Sequence, residues 1–261
     1  MKGLKLNFST QNVRSLNIAT KNLITDQKLL AITKNGTDVI ILCDLRIHSL
    51  KQIVACQEIT KRLHLMGYKF IHNSPTSSRG VGILIKKSAL DNLVIHNILR
   101  DSDGNFILLD IEHFSKRYTI GSVYGCNTNE GISMYDNLQR DILSFKNTNI
   151  ILGGDWNASF DCSPVNENID VLNMANIPSF RRSNRIRDLC TSLNLTDPYR
   201  ILYPNTREYT FIPSGDRQYN RSRLDFFIIS RNLSDQVKNV VIPHSLSSTV
   251  FDHKCVNLLF T

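Results

Sequence analysis

The sequence predicts an α/β protein in which β-sheets pack against each other and helices cover their outer faces. Short apolar runs of strand length recur along the chain, and stretches with helical periodicity lie between some of them. A strand-helix-strand order near the start is followed by several strands in succession, which favours packed sheets over a purely doubly wound parallel sheet. With 261 residues and 41% hydrophobic content, the chain is long enough to bury a large core.

Strands and helices are predicted along the whole length. The strands are predicted at Leu4 to Ser9, Val39 to Leu42, Val81 to Ile85, Phe106 to Ile111, Tyr118 to Tyr124, Ile150 to Gly154, Phe226 to Ser230 and the final run from Cys255 to Phe260. The helices are predicted at Asn22 to Lys34, Leu50 to Met66, Ser133 to Phe145 and Arg185 to Leu193, with Thr20 and Ser49 as candidate caps of the first two. No Gly/Ser-rich or Pro-rich linker divides the chain, so one domain spanning residues 1–261 is expected, with Asp161 to Asn184 as an elaborated loop inside it.

The net charge bears on the kind of binding partner, and the cysteine pattern bears on the cellular location. A net charge of +8 favours a binding partner with closely spaced phosphates. A basic protein that binds no anion could have the same net charge. The cysteines lack zinc-site spacing and are expected to be reduced, mostly buried thiols; they are Cys43, Cys56, Cys126, Cys162, Cys190 and Cys255. The first residues turn polar too soon for a signal peptide and no stretch approaches a membrane span, so an intracellular location is expected.

Polar residues able to serve metal or phosphate chemistry follow the predicted strands. Asp155 and Asn157 come after a buried run that breaks at two glycines, and alternation along an extended backbone would place them on one side. Asp44 and Asn12 follow two other strands, and carboxylate and amide oxygens are ligands that Mg²⁺ accepts. Each residue alone is more often a turn or cap residue than a ligand.

One further candidate pair, Asp252 and His253, precedes the final predicted strand. An aspartate beside a histidine could orient the ring and hold it protonated, so that the ring faces a phosphate oxygen.

The order of these motifs along the chain resembles that of the exonuclease-endonuclease-phosphatase superfamily, which includes AP endonucleases and pancreatic-type deoxyribonuclease. The resemblance spans nearly the whole chain. Its residues are Asn12 in the NVRSL segment, Asp44 in place of the family's metal-binding glutamate, Tyr124 and Asn127 in VYGCN, Asp155 and Asn157 in GDWN, Tyr209-Thr210-Phe211, Arg223-Leu224-Asp225-Phe226, and Asp252-His253. The resemblance implies a four-layer α/β sandwich of the deoxyribonuclease type, with two mixed sheets flanked by helices.

The resemblance also implies a set of residue roles. Mg²⁺, or alternatively Mn²⁺, would be held by Asp44 with Asn12 nearby. Asp155, ordered by Asn157, would orient the attacking water, and His253, held by Asp252, would stabilise charge on the phosphate. The remaining catalytic candidates are Tyr124, Asn127 and Asp225, with Thr210 lining the same site.

Two departures from the family pattern bear on these roles. Asp44 is one methylene shorter than glutamate, and Mg²⁺ tolerates little deviation from octahedral geometry at about 2.0 to 2.1 Å. Phe251 replaces the usual serine before Asp252 and removes a hydroxyl group. A modest loss of activity is expected from these changes.

The segment from Arg207 to Ile229 indicates which branch of the family is most similar. Two strand-like runs flank a Pro-Ser-Gly loop, so a projecting basic hairpin is predicted, which resembles the hairpin of endonucleases from non-LTR (LINE-type) retrotransposons. The residues expected to contact nucleic acid are Arg14, Thr210, Arg217, Tyr219, Arg221 and Arg223. A solvated basic turn would have the same composition.

The resulting expectation is a Mg²⁺-dependent endonuclease that nicks double-stranded DNA to provide a 3′-hydroxyl primer for target-primed reverse transcription. A reverse transcriptase region downstream in a longer polyprotein and a nuclear location are expected with it. The alternatives are a repair enzyme of the AP endonuclease type, a phosphatase or phosphodiesterase of the same fold, and a DNA-binding module whose chemistry has decayed.

Overall fold

The structure, a computed structural model, describes residues 4–16, 23–34, 36–49, 51–160, 169–172, 180–213, 220–243 and 250–261. Strands in these residues are β1 (Phe8–Asn12), β2 (Val39–Cys43), β3 (Tyr68–Asn73), β4 (Val81–Lys86), β5 (Leu93–Arg100), β6 (Phe106–His113), β7 (Lys116–Tyr124), β8 (Ile150–Asp155), β9 (Leu195–Thr196), β10 (Asp225–Ser230), β11 (Val237–Val241) and β12 (Val256–Phe260). Helices are α1 (Leu23–Lys34), α2 (Ile53–Leu65), α3 (Lys87–Leu90), α4 (Met134–Ser144), α5 (Phe180–Ser192) and α6 (Pro198–Leu202).

The strands form two mixed six-stranded sheets. The first has the order β11-β12-β1-β2-β4-β3 and the second the order β5-β6-β7-β8-β10-β9. Each sheet contains one parallel pair, β1 with β2 in the first and β7 with β8 in the second, and the other neighbours are antiparallel. The predicted arrangement of packed mixed sheets is therefore confirmed.

Alternation along the strands produces four layers. On β2, Ile41 faces the other sheet and packs in one cluster with Phe227, whereas the next residue back, Ile40, packs in a second cluster with Ile59 of α2. The outer face of the second sheet is likewise covered by helices, because Leu152 packs there with α4 and α5. Both faces of each sheet are thus covered, which explains why the central strands are continuous apolar runs.

The predicted elements are found with shifted ends. The first strand begins at Phe8 and extends to Asn12, and α5 begins at Phe180, inside the segment predicted as a loop. Ser49 is not the cap of α2: Gln52 occupies the N-cap position, and the Ser49 hydroxyl donates to the Ser74 carbonyl oxygen instead. Thr20 lies outside the described residues.

Three longer strands, β3, β5 and β11, were not predicted. On β5 and β11 most side chains are partly or fully exposed, so neither strand has the buried pattern of the central strands, although β5 is rich in apolar residues. The interior of β3 includes the polar residues Lys69 and His72. Each of the three forms or borders a sheet edge and is specified by its neighbour more than by its own composition.

Strand ends of both sheets meet at one end of the sandwich. The carboxyl ends of the parallel strands β1 and β2 lie side by side, and β12 runs antiparallel to β1, so its beginning lies at the same end. In the second sheet, Asp155 at the end of β8 is the register partner of Asp225 at the start of β10. The polar residues noted in the sequence therefore share this end.

Two other expectations concern cysteines and membranes. The cysteines in the described residues are unpaired, and Cys43, Cys56, Cys126 and Cys190 are buried, as predicted; Cys162 lies outside these residues. Among the described helices, none is both long and apolar enough to cross a membrane.

Substitution of Gly154 tests how closely β7 and β8 approach each other. A Cβ atom added at Gly154 would lie 1.8 Å from the Val123 carbonyl oxygen, a backbone atom that cannot move aside. Replacing Gly154 with Ala should therefore lower the free energy of unfolding by about 3 kcal/mol, measured by urea denaturation. The control is Gly36→Ala, where a left-handed backbone costs about 1 kcal/mol and the nearest atom is the end of the Lys86 side chain at 3.8 Å. Equal losses in both variants would contradict the close packing.

Candidate active site

Asp155 and Asn12 join the two sheets at the converging strand ends. Asn12 ends β1, Asp155 ends β8, and the Asn12 side-chain amide donates to Asp155 Oδ2 at 2.8 Å. The other side-chain atom of Asn12, Oδ1, accepts from the Arg14 backbone N–H at 2.9 Å, which fixes the orientation of the amide. Both side chains are buried. Asn12 therefore holds one oxygen of the Asp155 carboxylate in place.

Asn157 holds the other oxygen, but not through strand alternation. The strand ends at Asp155, and Asn157 has a left-handed φ of 49°. Its backbone N–H donates to Asp155 Oδ1 at 2.9 Å, and its side-chain amide donates to the Gly125 carbonyl oxygen. The extended geometry expected for this pair is thus wrong, because the chain turns after Asp155 and uses an Asx-type hydrogen bond.

His253 is oriented by Asp225. His253 Nδ1 lies 2.7 Å from Asp225 Oδ2, and both residues are buried. Thr210 positions this carboxylate, because its hydroxyl oxygen accepts from the backbone N–H groups of Leu224 and Asp225 at 3.0 Å each. The expectation that Asp252 holds His253 is corrected: Asp252 Oδ2 instead accepts from Arg14 at 2.9 Å. A buried carboxylate is the stronger partner because it is shielded from water.

The two pairs face each other across a short gap. His253 Nδ1 lies 4.0 Å from Asp155 Oδ2. Burial lowers the pKa of His253, but the negative charges of Asp225 and Asp155 outweigh it and raise the pKa to about 10. Burial and the nearby Asp225 carboxylate raise the pKa of Asp155 above its usual range. The site thus combines a protonated imidazole with a carboxylate of increased basicity.

This group also has the donors for a divalent cation. Ligand atoms of Asp155, Asp225 and His253 lie within 4.8 Å of one another. Because His253 Nδ1 is committed to Asp225, the carboxylates are the available donors. Asp225 Oδ1 is buried without a hydrogen-bond partner among the described residues, which is the kind of orphaned oxygen that a hard cation satisfies. The residues present therefore fit a divalent metal.

Asp44, the predicted metal ligand, has a different partner. Its two oxygens each accept from Arg46, from Nε and Nη2, at 2.8 Å. Asp44 is buried, lies next to the end of β2 and has a left-handed φ of 61°. A metal at Asp44 would compete with the Arg46 guanidinium, so the metal role of Asp44 stays a prediction. Sequence reasoning missed Arg46, although its spacing of two residues from Asp44 was visible.

Tyr124 borders the site at the end of β7, as register partner of Asp155. Burial, with the charges of Asp44 and Asp155, raises the pKa of Tyr124 well above its ordinary value, so the phenol remains protonated at neutral pH. The Arg79 guanidinium lies over its ring, 5.2 Å from the centroid. Tyr124 is therefore a neutral hydrogen-bond donor.

Arg223 is not a DNA-contacting residue in this structure. It is 1% exposed, and its guanidinium donates to Asp170 at 2.7 and 3.0 Å and to Asp197 at 2.6 Å. Arg200 also pairs with Asp170. The basic composition of the segment suggested a solvent-facing side chain, but a fully buried cation requires buried anions, and both acidic partners are distant in sequence.

The remaining predicted nucleic-acid contacts fall into three groups. Arg14 is exposed on the loop after β1, where it pairs with Asp252, and Arg221 is partly exposed. Thr210 is fully buried, so its predicted contact with nucleic acid is corrected to the positioning role described above. Arg217 and Tyr219 lie outside the described residues.

Two further positions singled out in the sequence, Asn127 and Phe251, differ in burial. Asn127 is exposed on the loop that follows β7. Phe251 packs in the apolar cluster between the first sheet and its helices, which accounts for an aromatic residue beside Asp252.

Lys28 and Cys43 support the site and were not predicted. The Lys28 ammonium donates to the backbone carbonyl oxygens of Val13, Arg14 and Ser15 at 2.7 to 2.9 Å, which holds the loop after Asn12. The Cys43 sulfur lies 3.4 Å from the Asp155 backbone nitrogen, which donates to it. A lysine within a helix and a cysteine ending a strand have no local signal for such roles.

The two packed mixed sheets with helices on their outer faces give the chain the fold of the AP endonucleases and of related exonucleases and phosphatases. A 3′ phosphatase from Neisseria bound to product DNA hairpin superposes with a TM-score of 0.74 at 18% identity, covering 98% of this chain and 99% of that one. An AP endonuclease from Leishmania major gives a TM-score of 0.74 at 18% identity, covering 98% and 87%. An AP endonuclease from Archaeoglobus fulgidus gives 0.73 at 15% identity, covering 98% and 99%.

Sequence comparison adds one particular relative. The transposon TX1 uncharacterized 149 kDa protein of Xenopus laevis is 25% identical over 159 residues, which is 59% of this chain. The chain spans 11% of the length of that relative. No protein-family model matches the chain.

Arg223 provides a test of the buried ion-pair network. Replacing Arg223 with Ala should destabilise the fold by about 3 to 5 kcal/mol in urea denaturation, because Asp170 and Asp197 would keep buried, uncompensated charges. The control is Arg140→Ala on α4, whose arginine side chain is 69% exposed and pairs with Asp141, and it should cost less than about 1 kcal/mol. Unchanged stability with weakened DNA binding in Arg223→Ala would restore the original assignment.

The protonation of His253 is measurable directly in the metal-free protein. We expect its imidazole, followed by NMR in EDTA, to stay protonated through neutral pH and to titrate near pH 10. The pKa of His253 in the folded protein exceeds the unfolded value of about 6.5, so protonation of His253 stabilises the fold. This contribution to the free energy of unfolding is fully present below pH ~6.5 and is lost as the pH rises through about 10.

Two aspartate variants separate the candidate partners of His253. Asp225→Asn should lower the pKa of His253 markedly, because burial then acts with less opposition from negative charge. Asp252→Asn should change it far less. The opposite ranking would return the orienting role to Asp252.

Proposed function

We propose that this protein is a divalent-metal-dependent endonuclease that nicks one strand of double-stranded DNA and leaves a 3′-hydroxyl end, as the nicking activity of a non-LTR retrotransposon. The observation that carries the proposal is the buried pairing of Asp155 with Asn12 and of His253 with Asp225, at 4.0 Å separation. A carboxylate able to take a proton and an imidazolium able to stabilise negative charge are the two groups that phosphodiester hydrolysis needs.

Asp155 orients and deprotonates the attacking water. Its two oxygens are fixed by Asn12 and Asn157, so the carboxylate is held in one orientation towards the attacking water. The water oxygen forms a bond to phosphorus and gives its proton to Asp155, while the bond from phosphorus to the 3′ oxygen breaks and that oxygen takes a proton from solvent. The products are a 5′-phosphate and a 3′-hydroxyl, and the latter is the primer end that target-primed reverse transcription requires.

His253 and Tyr124 act on the phosphate. With Nδ1 directed at Asp225, the protonated ring has its Nε2–H to donate to a nonbridging oxygen, where negative charge increases during attack. The Tyr124 phenol is a second, neutral donor at the neighbouring strand end. A divalent metal, Mg²⁺ in this proposal, would be held by Asp155 and Asp225, with Asp44 if Arg46 releases it, and would neutralise phosphate charge and so assist departure of the 3′ oxygen.

DNA is the proposed substrate for two independent reasons. The chain carries a net charge of +8, and one structural relative, the Neisseria 3′ phosphatase, is bound to product DNA hairpin. The transposon role rests on the sequence relative from Xenopus laevis, a transposon TX1 protein. A reverse transcriptase region in the same polyprotein and a nuclear location belong to this proposal.

A repair enzyme is the second candidate. The structural relatives include AP endonucleases, and an abasic nucleotide would need the same Asp155 and His253 chemistry. The substrate separates the two, because repair requires an abasic site and transposon nicking acts on intact DNA.

The proposed function predicts conversion of supercoiled plasmid to open circles with Mg²⁺ and none with EDTA. Asp155→Ala and His253→Ala should each reduce the nicking rate by about 10² or more, because each removes a proton-handling or charge-stabilising group. The matched control His96→Ala removes a histidine on β5 that pairs with Glu112, and should cut at the wild-type rate.

The chemistry of the DNA ends and the choice of substrate distinguish the proposed functions. Nicks in intact plasmid that DNA polymerase extends directly support the transposon role. Cleavage confined to duplexes with an abasic site would replace it with repair. Duplex binding without cleavage in Mg²⁺ or Mn²⁺ would leave only a DNA-binding module.

A further inference from the structure

Gln11 connects β1 to the segment that carries His253. Its side-chain nitrogen, Nε2, donates to the His253 carbonyl oxygen at 3.0 Å and to the Asn12 carbonyl oxygen at 2.8 Å. Gln11 is 4% exposed, so both hydrogen bonds are shielded from water. One buried amide is therefore attached to the backbones of two residues of the candidate site.

The backbone pairing between β1 and β12 ends before it reaches the site. The last register pair is Thr10 opposite Val256, which is the first residue of β12. Just before β12 the chain turns to another partner, since the Lys254 backbone N–H donates to the Thr210 carbonyl oxygen at 2.7 Å. The side chain of Gln11 therefore makes the connection to β1 at the point where the strand ladder no longer does.

The end of β1 is fixed on its other side. Its parallel pairing with β2 continues through Gln11 to Asn12, so the backbone of both residues belongs to the sheet. From this strand end the Asn12 side chain donates to Asp155. Two adjacent residues of one strand thus hold the two groups that face each other in the site: Asn12 holds the carboxylate of Asp155, and Gln11 holds the backbone of His253.

We propose that Gln11 is a positioning residue for the endonuclease reaction, because it fixes the backbone of His253 against the strand end that holds Asp155. The inference rests on the proposed function and names a further residue on which that site depends. An apolar residue would fill this position without the cost of burying an amide, so the two hydrogen bonds are what the amide adds. A small displacement of the imidazole from its place, 4.0 Å from Asp155 Oδ2, would slow the chemical step and leave DNA binding unchanged.

Gln11→Met tests the proposal, since methionine has a similar length and no hydrogen-bond donor. In plasmid nicking with Mg²⁺, kcat should fall about tenfold with little change in KM. The loss should vanish in a His253→Ala background, because Gln11 acts through His253. The matched control is Gln236→Met, which should keep the wild-type kcat: Gln236 lies beside the far end of β12, where its Oε1 accepts from the Leu4 backbone N–H.

Hydrogen exchange gives a reading that does not depend on nicking. In the metal-free protein in EDTA, the Lys254 backbone N–H should exchange about tenfold faster in Gln11→Met, because the segment opens more often once it loses a hydrogen bond. The backbone N–H groups of β12 should keep their wild-type exchange rates. If urea denaturation shows that Gln11→Met does not fold, Gln11→Asn replaces it and should give the same changes, because its amide is one methylene shorter.

An unchanged exchange rate at Lys254 in Gln11→Met would refute the positioning role, whatever the nicking result. Equal losses of kcat in the wild-type and His253→Ala backgrounds would also refute it, because the effect would not pass through His253. If the wild-type protein does not nick DNA, the endonuclease proposal falls, and the exchange rates alone decide whether Gln11 holds the His253 segment.

Discussion

The site depends on the enclosure of charge at the end of a two-sheet sandwich. Asp155, Asp225 and His253 are all buried, so two negative groups and one positive group interact with little screening by water. Their separation is set by β8 and β10, which place the two aspartates as register partners, and by the segment before β12, which carries His253. The raised pKa of the imidazole and that of Asp155 both follow from this enclosure.

The fold could be predicted well where burial determines composition. Central strands such as β2 and β8 are covered on both faces, so their sequences are apolar runs with ends that can be read directly. The edge strand β5 contains the apolar residues LVI and IL on either side of His96 and Asn97, yet most of its side chains are partly or fully exposed, so burial does not determine its sequence. Pairing with β6 specifies it, and pairing between distant segments is not visible in a local pattern.

The candidate site shows the same division. Residue types at strand ends located Asn12, Asp155 and His253, because amide, carboxylate and imidazole groups are needed for phosphate chemistry and these positions converge. Partners were harder to assign. Asp252 is adjacent to His253 in sequence, yet neighbours along a chain usually point in different directions, and Asp225 from another strand reaches the ring instead.

Two sets of contacts hold the backbone at and just before Asp225. The Thr210 hydroxyl receives the Asp225 backbone N–H, and two residues earlier Arg223 is fastened to Asp170 and Asp197. A carboxylate carried on such a backbone has little freedom to follow the imidazole if the imidazole moves. The pKa of His253 therefore depends also on Thr210 and Arg223, neither of which pairs with the imidazole, and Arg223 acts in the interior next to Asp225 instead of on the surface that its charge suggested.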